Sequence, residues 1–392
     1  MDRHGFDGID LASLRAVGGL KWSMFPGRIG AFVAEMDFGV APAIADALHG
    51  AVDRGLFGYL PPAVSRELSD ATSAWQRDAY GWDVPAERVH PVADVLAGLV
   101  AAIERYSPAG SPVILPTPSY MPFLRVPGTL GRSILEVPMS AEAGHYGLDL
   151  AGLERAFQAG GHLLILCNPY NPVGRVFSRK ELVAISEVVS RNGGRVFADE
   201  IHSPMVYAPS VHIPYASISP EAAAHTLTAT SASKAWNLPG LKCAQVILTS
   251  DADAEVWEQF GYSYEHGASN LGVIANTAAY TDGRGWLDEV REYNDGNRIA
   301  LAELLAEHLP EVRYTPPEGT YIGWLDARAL GVGDSPAEFF RDEAGVAMTD
   351  GAACGAPGVG FLRLIFATPR PILEQAVAQM GAALDRRSAA TG

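Results

Sequence analysis

Lysine is scarce in this chain. Of 29 basic residues only four are lysines: Lys21, Lys180, Lys234 and Lys242. Arginine serves where a generic cation suffices, but it cannot act as an amine nucleophile. Any chemistry that needs such a nucleophile is therefore confined to four positions. Cysteine is scarcer still. Cys167, Cys243 and Cys354 lie far apart and form no CxxC pair, which argues against a disulfide framework and against a zinc site, so no metal is expected. No Lys/Arg cluster exceeds a pair, and the net charge is -16. A nucleic-acid binder would carry a basic patch, so no nucleic-acid partner is expected. No apolar run reaches the roughly 18 residues needed to span a membrane. The first ten residues, MDRHGFDGID, lack the apolar stretch of a signal peptide. These absences lead to the expectation of a cytoplasmic protein with no membrane partner.

What is present is ample material for a core. The chain has 392 residues, 48% of them hydrophobic, and that length suggests two domains. Between about Pro85 and Thr230, short apolar runs alternate with helical stretches. Asp94 to Tyr106 reads as a helix, and Pro112 to Leu115 and Leu163 to Cys167 read as strands. Ser178 and Glu181 form a capping box that opens a helix, and Gly193 and Gly194 stop it. Arg195 to Ala198 and Thr226 to Thr230 are the next strands. This spacing implies parallel pairing through right-handed crossovers. Ligands then sit beyond the carboxyl ends of the strands, where Asn168, Asp199 and Ser231 begin the following segments. After Trp286 the texture changes. Helical stretches at Trp286 to His308, Pro336 to Glu343 and Ile372 to Leu384 alternate with strand-like Tyr321 to Leu325 and Phe361 to Phe366. The expectation is an α/β large domain over 51–285. A smaller α+β domain would be formed by 286–392 with the N-terminal segment 1–50.

Three strand ends carry chemistry together. Ser231-Ala232-Ser233-Lys234 alone reads as a surface loop, since lysine is usually exposed. Asn168-Pro169-Tyr170-Asn171-Pro172-Val173-Gly174 alone reads as a turn. Asp199-Glu200-Ile201-His202 alone reads as a helix cap or a solvated charge. Side by side they supply an amine, an amide and a carboxylate. Pyridoxal 5'-phosphate (PLP) chemistry asks for those groups: an amine for the aldehyde, a carboxylate for the pyridine nitrogen and a donor for the ring hydroxyl.

These motifs resemble those of the fold-type I PLP enzymes of the class I/II aminotransferase group, over nearly the whole chain. Within that group, Lys21-Trp22, Ala34-Glu35-Met36-Asp37-Phe38, Phe57-Gly58-Tyr59, the Asn168–Gly174 turn, Asp199–His202, Ser231–Lys234 and Gly360-Phe361-Leu362-Arg363 resemble the MalY/PatB branch of cystathionine β-lyase-like C–S lyases. The resemblance implies a large domain with a mainly parallel seven-stranded sheet. It implies that Lys234 binds the cofactor aldehyde and later moves the α-proton. Asp199 would pair with the pyridine nitrogen. Asn171 and His202 would face the ring hydroxyl, and Tyr120 would stack on the ring. Ser231, Lys242 and the amides at Val95 and Leu96 would hold the phosphate. Tyr59 would reach the phosphate of a neighbouring subunit in a homodimer and border the substrate there. Arg363, with Asn171, would grip the carboxylate of an amino-acid substrate.

The sequence departs from that pattern in places. Asp94 stands where the branch usually has Gly, Glu35 replaces the commoner Asp, Tyr170 the commoner His, and Lys242 stands where aminotransferases usually have Arg. Lys21 reads as a surface or N-terminal-segment residue and Lys180 as solvated in a first helical turn. The expected activity is α,β-elimination of cystathionine or another S-substituted L-cysteine. The alternatives are transamination, or the processing of a larger cysteine conjugate. A PLP-binding regulatory protein with vestigial catalysis is disfavoured by the intact Lys234, Asp199, Asn171 and Arg363 set.

Overall fold

The structure, a computed structural model, describes residues 5–142 and 144–391. Residues 1–4 of the stretch read for a leader lie outside the described residues. Seven strands build the central sheet: β1 (Val89–Val92), β2 (Val113–Thr117), β3 (Ile134–Pro138), β4 (Leu163–Cys167), β5 (Arg195–Asp199), β6 (Thr226–Thr230) and β7 (Ala244–Leu248). Their order is β1-β7-β6-β5-β4-β2-β3. Pairing from β3 through β6 is parallel, while β7 runs antiparallel to β6 and β1. The mainly parallel sheet expected from the sequence is therefore present.

β4 reads Leu-Leu-Ile-Leu-Cys, and all five residues are buried. A parallel strand covered on both faces has no polar side, so its sequence does not alternate. Burial of each such large apolar side chain contributes about 1.5–3 kcal/mol. The register pairs Cys167 with Asp199 and Asp199 with Ala229. The carboxyl ends of β4, β5 and β6 therefore lie side by side, and the three motif-bearing segments leave the sheet along one edge.

Helices are placed by their termini. In α1 (Val95–Arg105) the Asp94 side chain accepts from the Ala97 N–H and caps the first turn. A Cβ at Gly98 would lie 3.0 Å from Val246 Cγ2, so glycine lets this helix press onto the sheet. The Ser178/Glu181 capping box opens α2 (Arg179–Arg191). Ser269 caps α3 (Asn270–Thr281). Among the described residues, no helix is long and apolar enough to cross a membrane.

The C-terminal part holds an antiparallel sheet of β8 (Arg313–Tyr314), β9 (Ile322–Asp326), β10 (Thr349–Asp350) and β11 (Phe361–Ile365), in the order β8-β9-β11-β10. Leu362 and Leu364 join an apolar cluster with residues of α4 (Arg284–His308) and of the C-terminal helix α5 (Arg370–Thr391). Alternation puts Arg363 on the opposite face, directly across from Trp324. The N-terminal segment joins this part through Ile29–Gly30, which runs parallel to Val346–Ala347. The same cluster takes in Leu68, Trp75, Trp236 and Val273, so apolar packing runs unbroken across the division expected at 285.

Candidate active site

Lys234 leaves β6 through a short turn and is partly buried. Its Nζ donates to the Ala34 carbonyl at 3.2 Å. The same carbonyl accepts from the Tyr321 hydroxyl at 3.1 Å. Burial and the neighbouring Arg363 charge push the amine's pKa down to about 8, against the opposing pull of Glu35 and Asp199. Only the neutral amine attacks an aldehyde. Covalent loading of PLP should therefore speed up as pH rises toward about 8 and level off above it. Stopped-flow absorbance across pH 6 to 11 checks this; a rate still climbing through pH 10 would mean that the amine is unperturbed.

Asp199 ends β5 and is buried. Oδ1 accepts from the Ile201 N–H at 3.1 Å, and among the described residues Oδ2 meets only the Cys167 thiol, 3.9 Å away. Burial raises its pKa to about 7, with the Ile201 N–H and Lys234 opposing. A carboxylate this poorly satisfied is suited to a cationic N–H partner, which would pull its pKa back down. His202 is buried with Nδ1 unpartnered among the described residues. Burial, then Lys234 and Arg363, hold its pKa well below the ordinary histidine value, so it is neutral.

Arg363 is 1% exposed. Its Nε donates to Asn171 Oδ1 at 3.2 Å and its Nη1 to the Phe32 carbonyl at 2.9 Å. No carboxylate among the described residues pairs with it, and burial lowers its pKa. A buried guanidinium without a counter-ion is costly, so Arg363 is not part of a structural ion pair among the described residues. Tyr120 is half-buried on the same side. Burial raises its pKa, against the Arg363 charge, while Asp199 and Asp94 add to the rise.

The structure thus brings Lys234, Asp199, His202, Asn171, Arg363 and Tyr120 together. The unsatisfied Asp199 Oδ2, the unpartnered His202 Nδ1 and the unpaired Arg363 fit a small ligand with a protonated ring nitrogen, a ring hydroxyl and a carboxylate beside it. At the expected phosphate end, Lys242 Nζ pairs with Asp94 Oδ2 at 3.0 Å, beside the amino end of α1 where Val95 and Leu96 lie. The Ser231 hydroxyl gives its single proton to the Cys243 carbonyl at 2.7 Å. To donate to a phosphate it must turn. Tyr59 stands apart. It is 87% exposed beside His266, on a surface shared with exposed Phe57 and Tyr262.

One sequence reading is corrected. Lys21 is not a surface residue: it is buried, 2.7 Å from Asp37 Oδ2, and it also donates to the Glu35 carbonyl. Trp22 Nε1 donates to Asp37 Oδ1 at 2.8 Å. The Lys-Trp and Glu-Met-Asp-Phe motifs are one clamp, and it braces the segment carrying the Ala34 carbonyl. Asn237 bonds Met36 through both its N–H and its carbonyl and fixes the same segment from the Lys234 side. Sequence reasoning also missed Tyr321 and the Phe32 carbonyl. Neither carried a signal, since an aromatic at a strand start reads as core and a backbone carbonyl has no sequence identity.

The aminotransferase class I and II family profile matches residues 33–379. The cystathionine beta-lyase of Corynebacterium glutamicum is 37% identical over 370 residues, covering 93% of this chain and 96% of that one. Cystathionine beta-lyase PatB of Bacillus subtilis is 32% identical over 359 residues, covering 90% and 92%. A solved structure from Corynebacterium diphtheriae, of a protein proposed to be a PLP-dependent beta-cystathionase, matches with a TM-score of 0.92. It is 40% identical and covers 96% of this chain and 98% of that one.

Proposed function

Because this chain belongs to the class I and II aminotransferase family, we propose that it is a PLP-dependent carbon–sulfur β-lyase acting on cystathionine or another S-substituted L-cysteine. The single observation that carries the reading is the buried, carboxylate-free Arg363 on the same site as the buried amine of Lys234. It gives an amino-acid carboxylate an anchor next to a base. The choice of elimination is supported by the likeness to enzymes named cystathionine beta-lyase.

When bound, the cofactor supplies an aldehyde for amines and a ring that accepts the electron pair released at the substrate Cα. Asp199 Oδ2 would hold a proton on the ring nitrogen. Asn171 and His202 would meet the ring hydroxyl, and Tyr120 would cover one face of the ring. Arg363 grips the substrate carboxylate with charge-assisted bonds, as Asn171 Oδ1 and the Phe32 carbonyl aim its guanidinium. Lys234 Nζ takes the Cα proton, the Cβ–S bond breaks, and the thiolate leaves. Water then hydrolyses the remaining three-carbon fragment to pyruvate and ammonia.

Purified protein with PLP and L-cystathionine, and no added keto acid, should release pyruvate over many turnovers. Release only when a keto acid is supplied would replace elimination with transamination. Tyr59 is proposed to complete the phosphate and substrate end of a second copy's site. Its exposed position and aromatic neighbours support a homodimer. Light scattering should give twice the mass of one chain; a monomer would remove Tyr59 from the site. A cytoplasmic location is supported by three buried free cysteines, and cell fractionation tests it.

A further inference from the structure

At the expected phosphate end of the site the polar groups pair with one another. Asp94 does two things there. Oδ1 caps α1 by accepting from the Ala97 N–H at 2.9 Å, and Oδ2 pairs with Lys242 Nζ at 3.0 Å. Both side chains keep solvent access, 41% for Asp94 and 59% for Lys242, so a ligand can reach them. The Ser231 hydroxyl of the Lys234 motif donates to the Cys243 carbonyl and accepts the Ser233 N–H at 2.9 Å. The lysine charge that would meet a phosphate is thus already neutralised by a carboxylate of the same chain.

We propose that Asp94 is an internal competitor of the cofactor's phosphate for Lys242, and that it thereby sets cofactor affinity. The inference rests on the PLP reading above. A phosphate ester carries about two negative charges near pH 7. Entering this end, it meets a lysine already paired with the one carboxylate that also caps the helix, so Asp94 and the phosphate compete for the same cation. Before loading, the same carboxylate stabilises the chain, because it satisfies an orphan N–H of α1 and favours the positive end of the helix dipole. Asp94 therefore sets helix capping against the net positive charge open to a phosphate.

The substitution Asp94→Asn separates the two roles. Asparagine caps a helix about as well as aspartate but carries no charge; Asp94→Ser does the same with a shorter side chain. Binding of PLP and of pyridoxal, which lacks the phosphate, is measured on cofactor-stripped wild type and both variants by tryptophan fluorescence quenching and by calorimetry. Both variants should hold PLP about tenfold more tightly, equivalent to about 1.4 kcal/mol, and should leave pyridoxal affinity unchanged. Unchanged or weaker PLP binding in both would overturn the proposal and make Asp94 a guide that orients Lys242 toward the phosphate. Equal tightening for pyridoxal would also overturn it, since the effect would not act at the phosphate. Wild type that holds PLP and pyridoxal equally would refute the phosphate placement itself, and the role of Asp94 with it.

Discussion

Lys234→Ala should reduce turnover on the order of 10⁴-fold or more, the scale seen when a covalent catalytic group is removed. The reason is local. Lys21 is locked in a buried pair with Asp37, Lys242 faces Asp94, and Lys180 lies in the first turn of α2. Lys21 and Lys242 are already engaged with carboxylates, and the surrounding arginines cannot replace the lost amine. Borohydride treatment in the presence of PLP should attach the cofactor to the Lys234 peptide in the wild type and leave that peptide unmodified in the variant. The fold should persist. Among the described residues the one side-chain hydrogen bond lost is to the Ala34 carbonyl, which keeps the Tyr321 hydroxyl as a donor. A variant that retained turnover would remove Lys234 from the mechanism.

Arg363→Met should act in opposite directions on activity and stability. Loss of a desolvated, charge-assisted grip on a carboxylate costs about 3–5 kcal/mol, or roughly 10²- to 10⁴-fold in kcat/KM. Most of it should appear in KM if the grip is the same before and during reaction. The cofactor-free protein should be at least as stable as the wild type, because a buried cation without a counter-ion is exchanged for an apolar side chain of similar length. One effect offsets part of that gain: Asn171 Oδ1 loses its Arg363 donor, whereas the Phe32 carbonyl retains the Thr349 hydroxyl. Thermal unfolding without cofactor, together with steady-state kinetics, reads both. A large drop in Tm with KM unchanged would make Arg363 a structural residue. Arg363→Lys should not rescue activity, since a point charge cannot reproduce the planar fork.

The sequence by itself determined the central sheet and the motifs at its edge. Leu163–Cys167 and Thr226–Thr230 coincide with their strands, and the Ser178 capping box opens its helix where the residues place it. These features are local. A five-residue apolar run flanked by turn residues, or a hydroxyl three residues before a glutamate, carries its own physical cause. The grouping of Asn168, Asp199 and Ser231 also follows from parallel connectivity, because that rule sends successive strand ends to one edge.

Only the tertiary structure decided what those groups touch. Ala34 is 200 residues from Lys234 in sequence, and Phe32 is 331 from Arg363. Their carbonyls reach the site because the N-terminal segment is held parallel to Val346–Ala347 through Ile29–Gly30. Lys21 read as a surface lysine because exposure is the usual state of that side chain; its burial depends on Asp37 and the Trp22 indole closing around one another in space. The Lys242–Asp94 pair spans 148 residues, and its charge balance follows from a loop and a helix end meeting. Residue type and spacing fix which groups can do the chemistry. Burial, pairing and the resulting pKa shifts depend on long-range neighbours, so the fold had to set them.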